Sequence, residues 1–124
     1  MFELNPSANT NNLRKLAILK CPPICLVDLF CEPNKTNDYK ISGMYIFSNE
    51  KGQVFTIYDW KETTLYWGQD NGTPTPKKFW HSEKPQLLNI GGQPGTNPKP
   101  FIKWFIKIYE NYQKNIEQQI DPID

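Results

Sequence analysis

Two β-type runs facing each other across a short turn constrain this chain more than any other feature. Lys40 to Phe47 and Gln53 to Trp60 are rich in β-branched and aromatic residues, the types that fit a pleated, half-buried surface. Between them stands Ser48-Asn49-Glu50-Lys51-Gly52, and a turn ending in glycine suits a type I turn followed by a left-handed residue. The chain is therefore expected to contain an antiparallel hairpin. A lone hairpin is not stable in water, so other elements must cover it.

The clearest cover is at the C-terminal end. Asn97 can cap a helix with Pro98 at its first position, where a missing N–H costs nothing. Phe101, Trp104, Phe105, Ile108 and Tyr112 then recur at spacings of three and four, with Ile102, Ile106, Tyr109 and Ile116 widening the stripe. Lys103, Lys107, Glu110, Asn111, Lys114 and Gln118 mark the opposite, solvated face.

The remaining segments are shorter. Leu13 to Lys20 has apolar residues at helix-like spacing and can start from an Asn11 or Asn12 cap, so a short helix before Pro22-Pro23 is predicted. Ile24 to Cys31 is a continuous apolar run and reads as a buried strand. Glu62 to Trp67 is a further strand candidate. The 72–78 stretch carries Pro74 and Pro76, which argues against helix and central strand alike. Phe79-Trp80-His81 begins another short ordered piece, and Gln86 to Ile90 reads as the last strand, ending at Gly91-Gly92. The expected fold class is α+β: a small, mostly antiparallel sheet of about five short strands with one amphipathic C-terminal helix packed on it. A chain of 124 residues fits one domain, with 1–12 as a loose arm and 120–124 as a tail.

Several function classes fall away on composition. No apolar stretch is long enough to span a membrane. The start, Met1-Phe2-Glu3-Leu4-Asn5-Pro6, has neither the basic nor the apolar region of a secretory signal. The expectation is a cytoplasmic, reducing compartment, with Cys21, Cys25 and Cys31 as thiols and the triplets Asn34-Lys35-Thr36 and Asn71-Gly72-Thr73 left unglycosylated.

The search for chemistry finds little. His81 is the one histidine, which removes two-His metal clusters. Cys21, Cys25 and Cys31 with His81 could supply four zinc ligands, but the Cys-x2-Cys knuckle is missing, so structural thiols are the better reading. A Cys–His nucleophile pair needs a proximity that spacing does not supply. Gly91-Gly92-Gln93-Pro94-Gly95 sits between strand and helix, where a phosphate loop would lie. Yet Pro94, Pro98 and Pro100 remove amide donors there and no Lys-Ser/Thr follows, so it reads as a chain reversal. Asp59 and Glu62 offer paired carboxylates at the hairpin end, against the plainer reading of a solvated turn. No cofactor and no metal are expected.

Charge is uneven although the net is only +1. Residues 77–114 carry seven Lys against Glu83 and Glu110. Lys77-Lys78-Phe79-Trp80-His81 with Lys103 and Lys107 on the helix combines cations and rings, as single-strand nucleic-acid sites do. A pI near 7.6 lies well below the value above 9 that marks strongly basic binding domains, and Phe79 and Trp80 can equally be core.

The reading that survives is a non-catalytic interaction module binding another protein, as an accessory or regulatory factor. Its candidate contact residues are Tyr58, Trp60, Tyr66, Trp67, Lys77, Lys78, Trp80, His81, Lys103 and Lys107, since aromatic anchors dominate protein interfaces. A single-stranded nucleic-acid binder using 77–114 is the alternative, and a small hydrolase or nuclease around His81, Asp59 and Glu62 the third.

Overall fold

The computed structural model describes residues 1–69 and 72–120, the last four by backbone alone. Asp70 and Asn71 of the expected turn, and the tail beyond 120, lie outside the described residues.

The architecture is α+β, as expected, with a five-stranded antiparallel sheet. The hairpin is present as β3 (Met44–Asn49) and β4 (Val54–Tyr58), each shorter than its β-rich run. Gly52 takes φ +76°, and the Asn49 side-chain oxygen accepts the amides of Lys51 and Gln53 at 3.0 Å each. Gln86–Gly92 forms β5, running on through both glycines. A Cβ at Gly92 would come within 2.5 Å of a Leu16 methyl, which would have to turn aside.

The other two strands come from segments read differently. Phe2–Leu4, expected as part of a loose arm, is β1 and pairs with β3. Phe2 anchors it, meeting Phe55 and Phe101 edge-to-face at 5.6 and 5.4 Å. The expected helix at 13–20 is instead strand β2 (Arg14–Cys21), paired with β5. A bulge between Lys15 and Ala17 shifts the register, so Leu16 turns inward beside the alternating Ala17, Leu19 and Cys21. One extra inward residue imitates a helical spacing in the sequence. The sheet order is β1-β3-β4-β5-β2.

Three further segments are corrected to helix, two of them because a proline starts the helix. The run expected as a buried strand is helix α1 (Pro23–Phe30) with a proline in its first turn. Leu26, Val27 and Phe30 reach the core at helical spacing from buried Pro23. The strand expected at 62–67 contains α2 (Thr64–Trp67), capped by Thr63, whose hydroxyl accepts the Leu65 amide at 3.3 Å. The segment denied helix by its prolines begins α3 (Pro76–Trp80), because Pro76 sits in the first turn and Thr75 caps it; an interior position would have broken it. The C-terminal helix is α4 (Lys99–Ile120), with the Asn97 side chain accepting the Lys99 amide at 3.0 Å.

Helix α4 lies on one sheet face. Phe101 stacks on Phe55 at 5.0 Å and meets Phe47 at 5.3 Å, and Phe105 is buried beside them. Helix α1 fills the space between α3 and α4. Because β1 and β2 are opposite edges, the 5–13 connection must cross the sheet. It crosses the face away from α4, where the Asn5 side chain donates to the Ser48 hydroxyl at 3.1 Å and Pro6 and Thr10 line a cavity with Met44 and Ile46. On that face Ile18 and Leu87 stay exposed. No helix among the described residues is long and apolar enough to cross a membrane.

Candidate functional site

At the end of the sheet where β3 begins and β4 ends, the 31–43 and 59–69 loops are locked together. Asp59 makes the lock. Its carboxylate, 1% exposed, accepts the Ser42 amide at 2.8 Å, the Ser42 hydroxyl at 2.8 Å and the Gly43 amide at 3.0 Å. Burial pushes its pKa above the ordinary carboxylate range, and the hydrogen bonds from Ser42 and Gly43 pull the other way. Glu62 is pushed up as well, by burial and then by the charge of Asp59. A second tie runs from the Lys61 amide to the Lys40 carbonyl at 2.7 Å, with Lys61 at φ +59°. The Trp67 indole N–H donates to the Lys61 carbonyl at 2.6 Å.

These ties hold four rings at the surface. Tyr39 and Tyr66 stack at 5.5 Å with planes 1° apart, and Trp67 meets Tyr66 edge-on at 4.8 Å. The Lys40 ammonium lies 5.7 Å from the centroids of both Tyr39 and Trp60. The Lys61 ammonium lies 5.7 Å from Trp60 and 5.1 Å from Tyr66. Three rings and two cations thus form a closed cycle, each contact worth about 0.5–1 kcal/mol at an exposed site. Tyr39 is 58%, Trp60 41% and Trp67 54% exposed.

Beside this cluster runs a groove of about 790 Å³, reached through Leu65 of α2. Pro33, Pro76 and Trp80 give it apolar walls, Lys35, Lys77 and Glu32 bring charge to it, and His81 adds its ring. The Trp80 indole N–H donates to the Ser42 hydroxyl at 3.1 Å, which ties the groove to the Asp59 lock. Gly43 is required there, since a Cβ would come within 2.7 Å of Pro33 and of the Trp80 indole nitrogen.

The candidate residues separate cleanly. Trp60, Tyr66 and Trp67 come together in the cluster. Tyr58 does not join them in any ring contact; it is half-buried on β4, paired across to Met44 and Asn89. Trp80 is 2% exposed and packs on Tyr45 and Phe79, so it cannot serve as a partner-facing ring. With Phe79 also in the core, the 77–84 segment keeps only the His81 imidazole as an exposed ring. Lys77 and Lys78 lie exposed on α3 and Lys103 and Lys107 exposed on α4, two helices that each pack on α1. His81 turns to Glu32, 2.9 Å away, while Asp59 turns inward to Ser42. No hydrogen bond joins His81 to Asp59 or Glu62. Among the described residues no three His, Cys, Asp or Glu side chains gather as metal ligands. Cys21 and Cys25 are buried and Cys31 exposed, all as free thiols, with burial pushing the Cys21 thiol up to about 12.

Sequence reading missed Tyr39, Lys40 and Lys61. Their signal was present: the dipeptides Tyr39-Lys40 and Trp60-Lys61 repeat one ring–cation pattern in two loops. Neither a protein-family model nor a curated protein matches this sequence.

Proposed function

We propose that this chain is a non-catalytic interaction module that binds another protein through the aromatic end of its sheet. One observation carries the reading: Tyr39, Trp60, Tyr66 and Trp67 are gathered outside the core on a base locked by a buried carboxylate. Rings held in place before binding lose little entropy on contact, and Trp and Tyr are enriched among residues that dominate binding energy. His81 is bonded to Glu32 while the Asp59 carboxylate is taken up by Ser42 and Gly43, which gives the hydrolytic reading no histidine–carboxylate pair at Asp59.

The test is site-directed photocrosslinking in extracts of the source cells. A benzophenone side chain at Tyr39 should crosslink a nuclease-resistant protein species that the same group at Lys107 does not capture. Trp60→Ala combined with Trp67→Ala should abolish the product. Equal crosslinking from both positions, or a product removed by nuclease, would overturn the reading.

A further inference from the structure

The groove beside the cluster is the feature with the most unexplained chemistry. Its volume of about 790 Å³ lies within the range of functional clefts, roughly 300–1,000 Å³. Leu65, on a one-turn helix, is about half exposed although it is large and apolar. It faces a groove whose other apolar walls, Pro33 and Pro76, are rigid. Such surface suits an aliphatic side chain. It offers a nucleobase little to stack on, because Trp80 presents almost no face to solvent and only the His81 imidazole remains, whereas base recognition of single strands needs open rings.

The charges around the groove decide what can flank that side chain. Among the described residues Glu32 is its one carboxylate, hydrogen-bonded to the His81 ring at 2.9 Å. Lys35 and Lys77 also line the groove, and among the described residues neither meets a carboxylate. The groove therefore offers two lysines against one carboxylate beside an apolar floor.

We infer that this groove seats an extended acidic segment of the protein partner, with one apolar side chain against Leu65, Pro33 and Pro76 and carboxylates on Lys35 and Lys77. This rests on the reading that the partner is a protein. It adds a second contact, on the other side of Leu65 from the rings, that selects for charge. Opposite charges at a partly exposed rim act mainly on encounter rate and on rejection of wrong partners.

The experiment pans a random ten-residue peptide library on phage against the full chain and measures one synthesised, enriched peptide by fluorescence anisotropy. Enriched peptides should carry Asp or Glu on both sides of an aliphatic residue. Lys35→Glu with Lys77→Glu should weaken binding about tenfold or more, and Lys35→Gln with Lys77→Gln by less, because exposed lysines can be replaced without unfolding the chain. No enriched peptide, enrichment without acidic residues, or binding unchanged by the double reversal would overturn the inference. So would a dT15 oligonucleotide whose binding is lost in the same double variant. Peptides that ignore Lys35 and Lys77 but are lost with Trp60→Ala and Trp67→Ala would overturn the groove and leave the aromatic docking surface standing.

Discussion

The molecule has two aromatic clusters built from the same residue types and put to opposite use. Under α4, Phe2, Phe47, Phe55, Phe101 and Trp104 interlock at centroid distances of 5.0–5.8 Å. Phe47, Phe55 and Phe101 are buried. At the end of the sheet, Tyr39, Trp60, Tyr66 and Trp67 pack almost as closely, yet stay wet and bracketed by lysines. The first cluster is covered by a long helix, and the second is held by loops, with Tyr39, Trp60 and Trp67 about half exposed. Aromatic content therefore signals buried area only where an element exists to close over it.

The largest effect expected from that contrast is on stability. Phe101→Ala or Phe105→Ala should cost about 3–5 kcal/mol in urea denaturation, as loss of a buried aromatic does. A cost below about 1 kcal/mol at both would mean that α4 does not hold the sheet.

Asp59, which locks the base of the wet cluster, comes next. Asp59→Ala leaves two buried amides and a hydroxyl without an acceptor, a loss of about 2–4 kcal/mol. The direction with pH follows from its raised pKa. The folded state holds the Asp59 proton more tightly than the unfolded state. Its contribution is then complete below the ordinary Asp value of 3.8 and is lost as pH rises through the folded value. The stability gap between the natural chain and Asp59→Asn should therefore narrow as pH climbs from below 3.8. A gap that widens would reverse the assignment of burial as the dominant cause.

At the wet cluster the ranking inverts. Trp60→Ala should change stability by about 1 kcal/mol or less, the worth of its two lysine contacts, while removing most of the partner binding. A large loss of stability with binding intact would make this cluster a second core.

The smallest effect is expected on the far side of α4. Lys103→Glu with Lys107→Glu should shift stability by a few tenths of a kcal/mol and leave partner binding unchanged. Binding that falls with this pair, and falls steeply with salt, would restore the nucleic-acid alternative through counterion release.

What was legible in the sequence were the elements with an unambiguous local signal. The hairpin carried its own turn chemistry at Asn49 and Gly52, and α4 carried a cap and 22 residues of helical period. The short apolar runs were not legible. At 24–31 every position but Asp28 is apolar, and no period can be read from such a run. At 13–20 a single bulge converted a strand pattern into a helical one. Half the site was visible as Trp60, Tyr66 and Trp67. The groove was not, because its walls come from segments around 33, 42, 65 and 76–81 that no local rule connects.

By itself, then, the sequence determined the α+β class, one antiparallel pair and the helix that covers it, since these depend on contacts within a few residues or within one regular period. The tertiary structure decided which short runs become strands, that the chain's first residues pair into the sheet, and which rings face water. Those outcomes depend on which distant segment arrives to take up a backbone amide or to close over a side chain. Asp59 meeting Ser42 and Gly43 across seventeen and sixteen residues is the physical reason the exposed rings share one surface.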